Sequence, residues 1–210
     1  MNVKKIDDLL LVLEFNSKVE MNRVMWRVTE FCEGPSSLMG RKFHFDDFID
    51  EYIEFDGVLG YFSFWEGHNF PKHKLIKFMY AFSGDLTTRE KNLLNVSNLI
   101  EDDGYIIAYV KGDDMTFKHE MAHALFFNNL DYATECINAL KNIPKDVFEK
   151  YRNALKDLNY NDEVIEDEMQ AYLVAYDKDE WDKLFPDVDI TRMDNIQFFS
   201  QKTGQKYMKI

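Results

Sequence analysis

The stretch GYIIAYVKGDDMTFKHEMAHALFF, residues 104–127, decides how the chain is read. Tyr105 to Val110 is β-branched and aromatic and predicts a strand. Gly112-Asp113-Asp114 is a turn signal, and a helix is predicted to follow it directly. On that helix His119 and His123 fall four positions apart, so both imidazoles stand on one face, one turn apart.

Upstream of this seam the pattern is mixed. LLLVLEFN (9–16) and RVMWRVTEFC (23–32) read as two strands, the second alternating Val24, Trp26 and Val28 against Arg23, Arg27 and Thr29, and together they predict an antiparallel pair. After GPSS, the segment FHFDDFIDEYIEF sets Phe45, Phe48, Ile49, Tyr52 and Ile53 at helical spacing, with a stop at Asp56-Gly57. LGYFSFW reads as a short aromatic strand or turn, EGHNFP as an irregular connector, and HKLIKFMYAF as helical or as a short helix followed by a loop. Thr87 with Glu90 three residues on is a capping-box pattern before Leu93, Leu94, Val96 and Leu99.

Downstream of residue 113 only helices are predicted: 131–142, 144–158 with Pro144 suited to a first turn, 161–176, and 191–202 with a Thr191 to Asp194 cap pattern. The expected class is therefore α+β, one domain over 1–210. A mixed α/β lobe with a small sheet (1–112) precedes a helical lobe that begins with the motif helix (113–210). No linker, repeat or biased run divides the chain.

HEMAH carries the chemistry. Zinc takes neutral imidazole nitrogen at about 2.0–2.1 Å in tetrahedral sites, and a catalytic site keeps one position open. His119 and His123 supply two ligands. Glu120, rotated by roughly 100° around the helix, cannot share their geometry but can flank an attacking water and take its proton. The same spacing arises by chance in ordinary helices, so context decides. Here the helix follows a strand, and Met121, Ala122, Leu125 and Phe126 make its surroundings apolar. Two neutral histidines in such a helix would otherwise each need a hydrogen-bond partner.

A third ligand is required, and no third histidine follows His123 at HExxHxxGxxH spacing. It must be a carboxylate or an upstream histidine. Glu168, in DEMQAYLVA, is the best placed, beside the small or apolar Ala171, Leu173 and Ala175, while Glu163, Glu166, Asp167 and Glu135 compete. HEMAH followed by a helix of the form E-x-x-A-x-x-x-A resembles the zincin metallopeptidases of gluzincin type. The ImmA/IrrE-type peptidases are particularly similar in that second stretch, matched by Glu168, Ala171 and Ala175. The likeness covers about residues 104–176. It implies a zincin-like fold and Glu168 as third zinc ligand. It also implies that the strand at 105–110 is an edge against which an extended peptide lies.

Composition narrows the partners. The formal net charge of -13 opposes attraction to nucleic acid and to anionic lipid. Asp7 and Asp8 interrupt the N-terminal apolar run, which is too short for a signal peptide, and no apolar run reaches a membrane span. Cys32 and Cys136 form no metal-type pair and read as buried thiols of a reducing compartment, so a cytoplasmic location is expected; a disulfide between them is the alternative. Oligomeric state is not encoded legibly.

The expected activity is zinc-dependent hydrolysis of a peptide or protein substrate, with His119, His123 and Glu168 on the metal and Glu120 as general base. Tyr172, one turn past Glu168, is placed to orient a ligand. Tyr160, Tyr172, Tyr176, His68 and His73 are the possible oxyanion donors. The alternative is a zinc-bearing, non-catalytic interaction module, which would have no use for Glu120 and would close its fourth position with Cys or His.

Overall fold

The computed structural model describes residues 1–52, 57–158 and 160–208. Two compact units divide the chain, Met1–Phe117 and Lys118–Ile210.

The first unit is built on a mixed sheet. Its strands are β1 (Asn2–Lys5), β2 (Leu10–Phe15), β3 (Gly67–Pro71) and β4 (Tyr105–Val110), in the order β1-β2-β4-β3. β1 runs antiparallel to β2, β2 parallel to β4, and β3 antiparallel to β4. Parallel pairing needs a long crossover, and helices supply it. They are α1 (Lys18–Glu33), α2 (Phe45–Tyr52), α3 (Gly57–Phe64), α4 (Lys72–Ala81) and α5 (Thr88–Ser97). Leu10 to Leu13 and Ile106 to Ala108 are buried without alternation, the pattern of strands covered on both faces.

Four sequence expectations are corrected here. RVMWRVTEFC is not a strand but most of α1, so no hairpin forms with β2. Met21, Met25, Val28 and Cys32 recur at helical spacing and are buried, and Ser17 caps the helix by accepting from the Glu20 amide. The alternation at Val24, Trp26 and Val28 spans too few positions to compete. LGYFSFW is largely helical, within α3, and its Tyr61 packs edge-on against Phe48 and Tyr52. EGHNFP contains β3, which pairs Gly67 to Pro71 with Tyr109 to Tyr105; Pro71 ends it, where a missing N–H costs least. β4 is thus interior, flanked by β2 and β3, and the edge-strand expectation for residues 105–110 fails because both its sides are hydrogen-bonded.

Other readings stand. α2 and α4 form as helices, and Thr87 and Glu90 make the reciprocal capping box of α5. Glu90 also receives Arg27, whose guanidinium carbon stands 4.4 Å from the centre of the Phe82 ring. Ile53 and the stop at Asp56-Gly57 involve positions outside the described residues.

The second unit is helical among its described residues. α6 (Asp114–Asn128), within which the division falls, is followed by α7 (Leu130–Leu140), α8 (Lys145–Asp157), α9 (Ile165–Ala175), α10 (Lys178–Leu184) and α11 (Asp194–Tyr207). Tyr151, Leu155, Met169, Leu173, Trp181 and Phe185 form its core. The Thr191 cap does not form. Thr191 lies in a 3-10 turn over Ile190–Met193, its amide and hydroxyl both held by Asp189, and α11 starts from Met193. Both cysteines are free and buried, and burial pushes each thiol up to about 12. Among the described residues no helix is long and apolar enough to cross a membrane.

His68 is one of the five histidines, and its environment gives the first prediction. It is buried on β3, its Nε2–H donates to Asn22 Oδ1 at 2.6 Å, and its Nδ1 accepts from Thr29 Oγ1 at 2.8 Å. Burial holds its pKa down at about 3, against 6.5 when exposed. The unfolded chain takes up the proton first, so stability falls as pH drops through 6.5 toward 3. Between pH 7 and pH 5 this group should remove about 2 kcal/mol. Urea melts of the wild type and His68→Gln should show the stability gap narrowing by that amount over the same interval; an unchanged gap would refute the assignment.

Candidate metal centre

The turn before α6 sets up the motif helix. Gly112 takes φ +88°, which only glycine adopts freely, and Asp113 accepts from both the amide and the hydroxyl of Thr116 at 3.0 and 2.8 Å. The metal-binding residue types lie further along, in the second unit, on α6 and α9.

The small side chains of Ala122, on α6, and Ala171, on α9, are fully buried in one cluster with Val174. Small side chains at this contact leave room for α6 and α9 to pack there, beside the candidate ligands on each helix. Ala122 precedes His123, and Ala171 lies one turn past Glu168.

Among the described residues, His119, His123 and Glu168 are the one group of three or more His, Cys, Asp or Glu side chains gathered as a metal would need, one atom from each lying within 4.8 Å of the others. The two Nε2 atoms are 3.1 Å apart. Glu168 Oε2 is 3.6 Å from His119 Nε2, and its Oε1 is 3.6 Å from His123 Nε2. Ligand atoms about 2.0–2.1 Å from an ion at tetrahedral angles stand about 3.3 Å from one another, so these separations suit such an ion. Glu168 is 9% exposed and its Oε2 is buried without a hydrogen-bond partner, as an oxygen kept for a cation would be. Two imidazole nitrogens and one carboxylate form a borderline donor set that suits zinc.

The surroundings are acidic and aromatic. Burial opposes a charge on His123, but the carboxylates of Asp167, Glu168 and Glu120 outweigh it and hold its pKa up at about 10. The pocket therefore favours positive charge strongly. Glu120 is itself buried, and its charge is felt at His123, Tyr160 and Tyr172. The Tyr172 ring stands edge-on to His119 with centroids 4.6 Å apart, and its hydroxyl is 3.2 Å from that of Tyr160. Tyr176 is further off, 6.0 Å from the His119 ring. Burial, with Glu168 second, pushes the phenols of Tyr160 and Tyr172 well up, so both keep their protons and can donate.

The competing ligands separate cleanly. Glu163 and Glu166 are exposed, and Glu135 is taken by Lys206, Tyr207 and Thr203. Asp167 reaches His123, but at Nδ1, on the side of the ring away from the cluster. His68 is held within the first unit by Asn22 and Thr29, and His73 is exposed there. Gln170 and Tyr132, which lie behind Asp167, were not read from the sequence. The one available signal was a glutamine inside the apolar run Met169–Ala175.

No protein-family model, no curated protein and no solved structure matches the chain. The site's own geometry and chemistry are what bear on function.

If the paired alanines set the helix approach, Ala171→Leu should cost the metal-free protein about 1–3 kcal/mol through overpacking. Ala171→Ser should cost clearly less. Urea midpoints of the three proteins decide it, and equal tolerance of leucine and serine would dismiss the small-residue account.

Proposed function

We propose that the protein is a zinc-dependent peptidase of zincin type, with His119, His123 and Glu168 as the metal ligands and Glu120 as the general base. The observation that carries this reading is the convergence of those three side chains around one point, with a buried carboxylate next to the first on the same helix turn. A zinc ion held there would supply Lewis acidity, polarising a peptide carbonyl and bringing the pKa of water toward 7.

The chain's own residues do the rest. Glu120 takes the proton of the attacking water and delivers it to the leaving amine nitrogen, a role that suits a carboxylate poised among other charges. No covalent intermediate is needed. Tyr172 and Tyr160, protonated and hydrogen-bonded to each other, are the hydroxyls placed to donate to negative charge growing on the carbonyl oxygen. The substrate is a peptide or protein; the net charge of -13 favours that class over nucleic acid or anionic membrane surfaces, and the free buried thiols suit a reducing, cytoplasmic setting.

Metal analysis by mass spectrometry and hydrolysis of a fluorescently quenched unfolded protein test this together. Wild type should carry about one zinc per chain, and Glu168→Ala should lose most of it. Glu120→Gln should keep the zinc and lose hydrolysis by about 10²–10⁴-fold. Zinc in the wild type with no hydrolysis would point instead to a zinc-bearing interaction module. Undiminished hydrolysis in zinc-loaded Glu120→Gln would remove Glu120 from the mechanism.

A further inference from the structure

Asp167 and Glu168 are adjacent on α9, about 100° apart around the helix axis, and they meet opposite edges of the same ring. Glu168 Oε1 lies 3.6 Å from His123 Nε2, while Asp167 Oδ1 lies 2.9 Å from His123 Nδ1, close but off the line of its N–H. The same Asp167 oxygen accepts from Gln170 Nε2 at 2.9 Å, and Gln170 Oε1 accepts from the Tyr132 hydroxyl at 2.7 Å. Gln170 and Tyr132 are fully buried, and Tyr132 stands on α7, capped at Asn129.

The direction of every bond in this chain is fixed by chemistry. An ionised carboxylate only accepts, so the Gln170 amide must turn its NH₂ toward Asp167. That leaves its oxygen to the phenol, which must donate. For the same reason, in the neutral imidazole that a metal requires, the edge facing Asp167 is the one to keep the proton, and the lone pair falls on Nε2, on the edge facing His119 and Glu168. His119 has no such support: its Nδ1 is buried without a partner, and its ring rests against Tyr172 instead.

We propose that Asp167, held by Gln170 and Tyr132, is a positioning residue that fixes the tautomer and orientation of His123 for metal binding. This rests on the metal-centre reading above. It gives Asp167 a role other than competing ligand, and it makes α7, which carries none of the three ligands, part of the site's support.

The test is the zinc dissociation constant of the full chain, by competition with a chromogenic chelator, for wild type, Asp167→Ala, Asp167→Asn, Gln170→Leu and Glu168→Ala. Thermal melts of the metal-free proteins accompany it, and ¹⁵N-edited spectra of the zinc-loaded imidazoles report the tautomer. Asp167→Ala should weaken zinc about 10–100-fold, the range seen when an outer partner of a ligand is removed. Asp167→Asn, which keeps an acceptor oxygen, should recover part of that loss. Gln170→Leu should weaken binding by less than Asp167→Ala. The proton on His123 Nδ1 should be resolved in the wild type and broadened away in Asp167→Ala.

Outcomes against the proposal are distinct from those against the metal centre. A folded Asp167→Ala that binds zinc within about twofold of wild type overturns it while Glu168→Ala still fails to bind. Loss as complete in Asp167→Ala as in Glu168→Ala also overturns it, making Asp167 a ligand. Wild type that binds no zinc, and no better than Glu168→Ala, ends the metal-centre reading itself.

Discussion

Two imidazoles and a carboxylate withdrawn from water within 3.6 Å of one another are the constraint on which the second unit is organised. Such a cluster is costly unless a positive charge shares it. Burial by itself would drive His123 toward neutrality, yet the carboxylates of Asp167, Glu168 and Glu120 reverse the outcome and hold its pKa at about 10. The carboxylates thus set a field at His123 that favours positive charge there. Packing must withstand that field, and it does so through the apolar contacts around Ala122, Ala171 and Val174 on one side and the aromatic core of Tyr151, Trp181 and Phe185 behind α9.

The motif helix was legible because its chemistry is local. His119, Glu120 and His123 follow from one turn of helix, and the strand, turn and helix around them announce themselves by composition. Glu168 is less local: its neighbours and a likeness single it out over Glu163, Glu166 and Asp167, and in the structure it is buried beside both imidazoles while Glu163 and Glu166 face solvent. The errors arose where short windows admit two periods. Val24, Trp26 and Val28 alternate like a strand, but the longer series Met21, Met25, Val28, Cys32 obeys the helix. Trp26 is only partly buried, and its ring gathers Phe43, Phe45, Phe48 and Phe62 around it, contacts no local pattern could foretell. β3 was hidden for the opposite reason. Gly67 and Pro71 are poor strand residues, and it is the pairing with β4 that makes them one.

Sheet order has a consequence for how a substrate could be held. A strand with partners on both sides has no free N–H or C=O row to offer, so β4 cannot extend its sheet with a peptide. The free edges belong to β1 and β3. β1 carries Lys4 and Lys5, charged side chains of the kind that discourage edge pairing. Edge addition at β4 is thereby removed from the proposed mechanism, while the ligand set and Glu120 are untouched by its removal.

The charge count around the ligands bears on what kind of site this is. Glu120, Asp167 and Glu168 bring three carboxylates to two imidazoles. A divalent cation with both imidazoles neutral would leave one negative charge in excess. A further buried carboxylate adds desolvation cost without adding a ligand, which in the proposed reading is offset by a role beyond holding the ion. Asp167 is accounted for by its contact with Nδ1 of His123. In the proposed zinc site Glu120 is the buried acid next to His119 in sequence, and the role proposed for it there is that of the base.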